Sequence, residues 1–193
     1  MPHATGPTYK VAFRRRRENK TNYAKRLGML KSALPRMVVR KSGRGILVQF
    51  MEFSTAGDKV IACCRSDALR PFGWAPRSNA PTAYLTALHA AKKAKAKGVS
   101  EFIVDIGMQT PSKGAIAFAA VQGAQDAGLK TNYDGSMIAA DQISGMHIQK
   151  YAQSLAGTEE YKRVFSSYLA ENFDPTKITD TFNAVKQKMV QKS

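Results

Sequence analysis

Residues suited to phosphate chemistry are densest between Ala12 and Arg26, AFRRRRENKTNYAKR. Four consecutive arginines, Arg14, Arg15, Arg16 and Arg17, are followed by Lys20, Lys25 and Arg26. A guanidinium grips a phosphate through two parallel N–H bonds and also stacks on bases. Phe13 and Tyr23 interrupt the charge, and an aromatic ring is a platform for an exposed base. Asn19, Thr21 and Asn22 add short polar groups that can reach a 2′-hydroxyl or a base edge. A solvated charge run or a targeting address needs none of these. The mixture fits single-stranded or looped RNA, and a segment that takes its shape on binding. Lys31, Arg36, Arg40, Lys41 and Arg44 carry the basic character into the next element, so arm and hairpin can make one surface.

The charge distribution supports this. The 193-residue chain has 30 Lys and Arg against 14 Asp and Glu, a net of +16. Before Ile46 there are 13 basic residues and a single acid, Glu18, so +12 lies there and +4 in the remainder. Such asymmetry favours polyanions, nucleic acid first and an anionic membrane surface second. No apolar run approaches the roughly 20 residues of a membrane span. The N-terminus lacks the apolar core of a secretion signal. A soluble intracellular protein is therefore expected. Cys63 and Cys64 are adjacent, so on a strand they point to opposite faces and make neither a disulfide nor a zinc site. They read as small strand residues in a reducing compartment.

Catalytic readings are weaker. Asp105 sits in the apolar run FIVDIG, where some nucleases hold a metal. Two-metal chemistry needs several convergent carboxylates, and only Asp126 and Asp141 are candidates, without motif spacing. The simpler role is an Asp at a strand end bonding the next loop. Gly107 to Gly114, GMQTPSKG, resembles a P-loop but has Ser-Lys-Gly where Gly-Lys-Ser/Thr is required. His3, His89 and His147 are too dispersed for a metal site. No cofactor, metal or enzyme activity is expected.

Two readings stay open at four further residues. Lys113, ahead of a helix N-terminus, is either a phosphate contact or part of a plain loop. Lys92 and Lys93 either touch RNA or compensate the dipole at a helix C-terminus. Trp74, in PFGWAP, either stacks on a base or pins its loop to the body.

The elements that must position these residues follow from local pattern. Pro35–Ser42, Ile46–Phe53 and Lys59–Arg65 are short, β-branched runs separated by the turn signals SGRG and STAGD, which predicts an antiparallel three-strand meander. A Pro/Gly-rich loop leads to a helix with Pro81 in its first turn and Gly98 past its end. Tyr84, Leu85, Leu88 and Ala91 form its stripe. Glu101–Gly107 reads as a buried central strand. A small-residue helix closed by Gly128 follows. Thr158 caps one further helix whose stripe is Tyr161, Val164, Phe165, Tyr168 and Leu169. Asp174-Pro175 opens a last one, with Ile178, Phe182, Val185 and Met189 on one side. The expected fold is α/β with a mixed sheet: the meander, then helix-strand-helix, with a basic N-terminal arm and a C-terminal helical extension. The divisions are 1–34 for the arm, 35–150 for the core and 151–193 for the extension. A chain of this size buries roughly 70% of its unfolded surface and needs no disulfide or metal to fold.

Longer stretches carry a resemblance. YKVAFRRRRENKTNYAKRLGMLKSALPRMVVRKSGRGILVQ resembles the start of archaeal and eukaryotic members of the large-subunit ribosomal protein family that binds 5S ribosomal RNA. Gly73-Trp74, NAPTAYLTALHAAKKAKAKG, DIGMQTPSKGAIAFAAVQGAQDAG and ISGMHIQKYA follow in order, so the resemblance spans nearly the whole chain. The short C-terminal part looks archaeal. The turn KSGRG and the segment IAAD, Ile138 to Asp141, depart from the family pattern. The resemblance implies a structural role: holding 5S rRNA in the central protuberance and docking it onto the large-subunit (23S) rRNA. It implies a monomer in the cytoplasmic ribosome, beside neighbouring 5S-associated proteins and away from membranes. By position, Arg14, Arg15, Arg16, Arg17, Lys20, Tyr23, Lys25 and Arg26 match the family's basic arm, and Arg40, Lys41 and Arg44 its hairpin. The alternative is an RNA-processing enzyme or free regulatory RNA binder on the same scaffold.

Overall fold

The computed structural model describes residues 6–191. His3 lies outside them. The arm holds one helical turn, α1 (Arg14–Arg17), and a longer helix, α2 (Tyr23–Leu30). Three strands follow: β1 (Arg36–Lys41), β2 (Ile46–Glu52) and β3 (Lys59–Arg65). Next come α3 (Ala80–Lys95), β4 (Ile103–Asp105) and α4 (Ile116–Asp126). The C-terminal part is helical: α5 (Ala140–Ser144), α6 (Met146–Ser154), α7 (Glu159–Val164), α8 (Ser166–Leu169) and α9 (Ile178–Gln191).

The sheet runs β3-β2-β1-β4, with β4 parallel to β1 and the other pairs antiparallel. This is the mixed α/β architecture expected, with one difference. β4 is a three-residue edge strand, not a central one. Its apolar residues are only half-buried, and beyond it lies a lone bridge between Glu101 and Lys130.

Alternation along the strands sorts side chains between two unlike faces. Ile46, Val48 and Phe50 of β2, with Ala62 and Cys64 of β3, point into the core under α3. Leu47, Gln49 and Cys63 alternate away from that core. The adjacent cysteines are thus split, Cys63 exposed and Cys64 buried. Burial pushes the Cys64 thiol up to about 11.

α3 is the central buried helix. Asn79 caps it by accepting from Thr82 N at 3.1 Å. Ala83, Ala87, Ala90, Ala91 and Ala94 are buried among sheet, α4 and α9, so the burial is wider than a single stripe. Small residues let α4 come close. A Cβ on Gly123 would lie 2.3 Å from the Tyr84 carbonyl oxygen. The Tyr84 hydroxyl donates to Asp126, which also pairs with Lys186 of α9.

The C-terminal helices differ in one respect from the expected pattern. Thr158 does cap α7, accepting from Tyr161 N at 3.2 Å. The helix breaks at Phe165, and α8 restarts at Ser166. That break sends Phe165 and Tyr168 into the core and leaves Val164 and Leu169 exposed. α9 is amphipathic as expected, burying Ile178, Phe182, Val185 and Met189 in the same core as the sheet. Among the described residues no helix is long and apolar enough to cross a membrane.

Two outcomes check this packing. Gly123→Ala gains helix propensity worth ~1 kcal/mol, but it drives a methyl group into backbone and should cost a net ~2 kcal/mol or more in urea unfolding. In native protein at pH 8, a thiol reagent should label Cys63 readily and Cys64 only after denaturant is added.

Candidate nucleic-acid interface

The arm lies against the outer face of the sheet. Asn22 starts α2 by accepting from Lys25 N at 3.0 Å, which fixes where the helix begins. Arg15 Nε donates to Thr21 Oγ1 at 2.9 Å and folds the α1 turn back towards α2. The rings of Phe13 and Tyr23 sit 5.2 Å apart and tilted by 58°. Where the sequence suggested a segment shaped only by RNA, these local bonds already define two helices.

Between arm and sheet runs a cleft of about 230 Å³, with Arg15, Lys20, Thr21 and Lys25 on one wall and Arg40 and Gln49 on the other. Past Arg40 lies a basic recess of about 310 Å³ at the hairpin, lined by Lys41, Arg44 and Arg65 among others. Cleft and recess share Arg40, so they form one continuous basic surface.

A chain of alternating charges joins its parts. Arg26 Nη2 reaches both oxygens of Asp58 at 2.9 Å. Arg36 donates to Asp58 at 2.5 Å and to Asp105 at 2.9 Å. Arg40 donates to the Asp105 carboxylate at 3.0 Å and to its backbone carbonyl at 2.8 Å. The Asp105 carboxylate also accepts from Gly107 N at 2.8 Å. Gly107 has a positive φ of 69°, and a Cβ there would stand 3.0 Å from the Arg40 guanidinium carbon. Asp105 therefore bonds the following loop, as its simpler role required, and organises arginines besides.

The structure sorts the candidate residues. Phe13, Arg14, Arg15, Arg16, Arg17, Asn19, Lys20, Lys25 and Lys31 are exposed along the arm, and Lys41 and Arg44 on the hairpin. Thr21, Tyr23, Arg26 and Arg40 are partly buried. Among the described residues no ion pair or hydrogen bond engages the side chains of Arg16, Arg17, Lys25, Lys31, Lys41 or Arg44. Arg14 and Lys20 flank Glu18 at 3.9 and 2.8 Å. The Lys20 hydrogen bond is the main reason the Glu18 carboxyl sits below its usual range. These exposed pairs are worth little and leave the cations available.

One candidate is corrected, and one open choice is narrowed. Arg36 is only 3% exposed, and its guanidinium is committed to Asp58 and Asp105. It supports the surface from beneath. Trp74 is buried, donating from its indole N–H to Thr82 Oγ1 at 2.9 Å and meeting Phe173 and Phe182 edge-on. It pins the Pro-rich loop. Of the remaining residues, Lys92 donates to the Met189 carbonyl near the end of α9. Lys93 is exposed beside it, and Lys113 is exposed in the loop before α4. None of these three lines the cleft or the recess.

Sequence reasoning missed Arg65, Gln49 and Asp58. Arg65 and Gln49 could have been found from strand parity, since both alternate away from the apolar positions. Asp58 carries no local signal. The alternative catalytic centre does not assemble: Asp126 is tied to Tyr84 and Lys186, Asp141 lies exposed on α5, and no group of three potential metal ligands occurs among the described residues. His89 packs edge-on against Phe72, with its imidazole held below its usual range by burial and then by Lys93 and Lys92. His147 is exposed.

Comparison with known proteins identifies relatives over nearly the whole chain. Residues 7–100 match the family model described as ribosomal large subunit proteins 60S L5, and 50S L18. Three relatives named large ribosomal subunit protein uL18 match almost end to end. That of Thermofilum pendens is 45% identical, covering 96% of this chain and 97% of its own length. That of Korarchaeum cryptofilum is 44% identical, covering 94% of each. That of Ignicoccus hospitalis is 43% identical, covering 97% of this chain and 94% of its own. The chain, with its basic arm folded onto a mixed sheet, belongs to the L5/L18 family of large-subunit ribosomal proteins, which are structural components and not enzymes.

Proposed function

We propose that this ribosomal protein binds 5S rRNA and helps attach it to the large-subunit (23S) rRNA in the central protuberance. It acts there as a monomer within the cytoplasmic ribosome, beside neighbouring 5S-associated proteins. The observation that carries this reading is the continuous basic surface of arm, cleft and hairpin recess, on the side of the sheet away from α3 and α4. Its free cations can replace counterions along two or more phosphate runs, while Phe13, 71% exposed, offers a ring to an unstacked base. A-form RNA and its loops are recognised by shape and stacking, which a surface braced by ion pairs supplies better than a loose charge run. The arm (1–34) is then the clamp, the α/β body (35–150) its platform, and the C-terminal helices (151–193) a buttress free to meet other ribosomal components.

The test is competition between 5S rRNA and tRNA for the full chain at about 0.3 M salt, where non-specific attraction is heavily screened. The reading expects a retained preference for 5S rRNA. Equal binding to both, fading together with salt, would contradict it and favour a general polyanion binder. Within the same assay, Phe13→Ala should weaken 5S binding by ~1–3 kcal/mol, and an effect near zero would remove the ring from the interface.

A further inference from the structure

Asp58 is an acid inside the basic face. It stands in the β2–β3 turn with its side chain only 14% exposed, between Arg26 of the arm and Arg36 of the sheet. On electrostatic grounds alone it opposes RNA binding, since it cancels positive potential where phosphates would approach. It is also outside the apolar core. Its geometry gives it another use. Helix α2 has eight residues, none buried, so apolar contact does little to hold it. A helix that short is marginal by itself. Among the described residues, Arg26–Asp58 is the arm's single ion pair with the body. Behind it, Arg36 and Asp105 fix Asp58 to β1 and β4.

We propose that Asp58, backed by Asp105, is a positioning residue for RNA binding: it sets α2 at a fixed place on the sheet, so that arm and hairpin cations meet RNA as one prearranged surface. This rests on the RNA-binding reading above. Without the link the same cations remain, but RNA must pay the cost of ordering the arm.

Asp58→Asn adds one unit of positive charge, so charge alone predicts tighter binding and positioning predicts weaker. We expect 5S affinity to fall about tenfold at moderate salt. Amide exchange should quicken over 23–30 but not in α3 or α4. Asp58→Glu should recover part of the affinity. Asp134→Asn, the same charge change at an exposed loop acid that bonds Ser136, should bind as tightly as wild type or slightly tighter. Should Asp58→Asn unfold the body, Arg26→Lys weakens the link from the arm side, keeping the charge but replacing the longer, planar guanidinium whose Nη2 bridges both Asp58 oxygens. It should show the same loosened α2 and weaker binding. Wild-type-like or tighter binding by a folded Asp58→Asn, or by Arg26→Lys with a loosened α2, overturns the proposal alone. A wild-type chain with no 5S preference overturns the underlying reading, and this proposal with it.

Discussion

The pairing of Arg36 with Asp58 and Asp105 is the constraint on which the outer face depends. A guanidinium buried to 3% exposure is tolerable only when its charge is met, and removing one partner from such a group typically costs ~3–5 kcal/mol. Two carboxylates meet it here, and each has capacity left over. Asp58 spends that on Arg26 and so locates the arm. Asp105 spends it on Arg40 and the turn at Gly107, and so locates the rim of the hairpin recess. Two acids in a region of heavy positive charge thus determine where the cations stand.

The other side of the molecule is built on different physics. Alanines and Gly123 let α3 and α4 pack at close range, while aromatic residues from the C-terminal helices close around Trp74 and Tyr84. Some charges here are neutralised locally. Arg70 and Arg77 share Glu171, and Lys186 pairs with Asp126. Burial alone would raise the Glu171 carboxyl, but hydrogen bonds from Arg77 and Arg70 together outweigh it and hold it below its usual range. The molecule therefore divides into a close-packed helical layer and a basic arm-and-sheet face where, among the described residues, the side chains of Arg16, Arg17, Lys41 and Arg44 have no ion pair or hydrogen bond.

Much of this was legible in the sequence, because local rules suffice where contacts are local. The three meander strands, the capped α3, the Thr158 cap and the apolar side of α9 all lie close to their expected places. The failures come where distant residues decide. Arg36 looked like one more surface cation, since its partners are 22 and 69 residues away. At Trp74 two readings stayed open because the aromatic ring that covers it, Phe173, arrives about a hundred residues later. The stripe from Tyr161 to Leu169 obeys helical spacing, yet the chain breaks at Phe165 to bury two of its rings. The run Glu101–Gly107 is apolar enough for a central strand, but among the described residues its outer side meets just an isolated bridge, Glu101 with Lys130. Family membership followed from long ordered stretches. The internal architecture of the basic face did not, because it is written in ion pairs with no sequence periodicity.

The most direct test of the account is to map which residues touch RNA. Ultraviolet crosslinking of the full chain to 5S rRNA, read by mass spectrometry, should place crosslinks at Phe13 and Tyr23, along the rest of the arm, and on the hairpin strands near Arg44 and Arg65. The peptides of α3, α4 and α9 should be spared. Crosslinks concentrated on the helical layer, around Lys93 and Lys95, with the arm and hairpin unmarked, would contradict it.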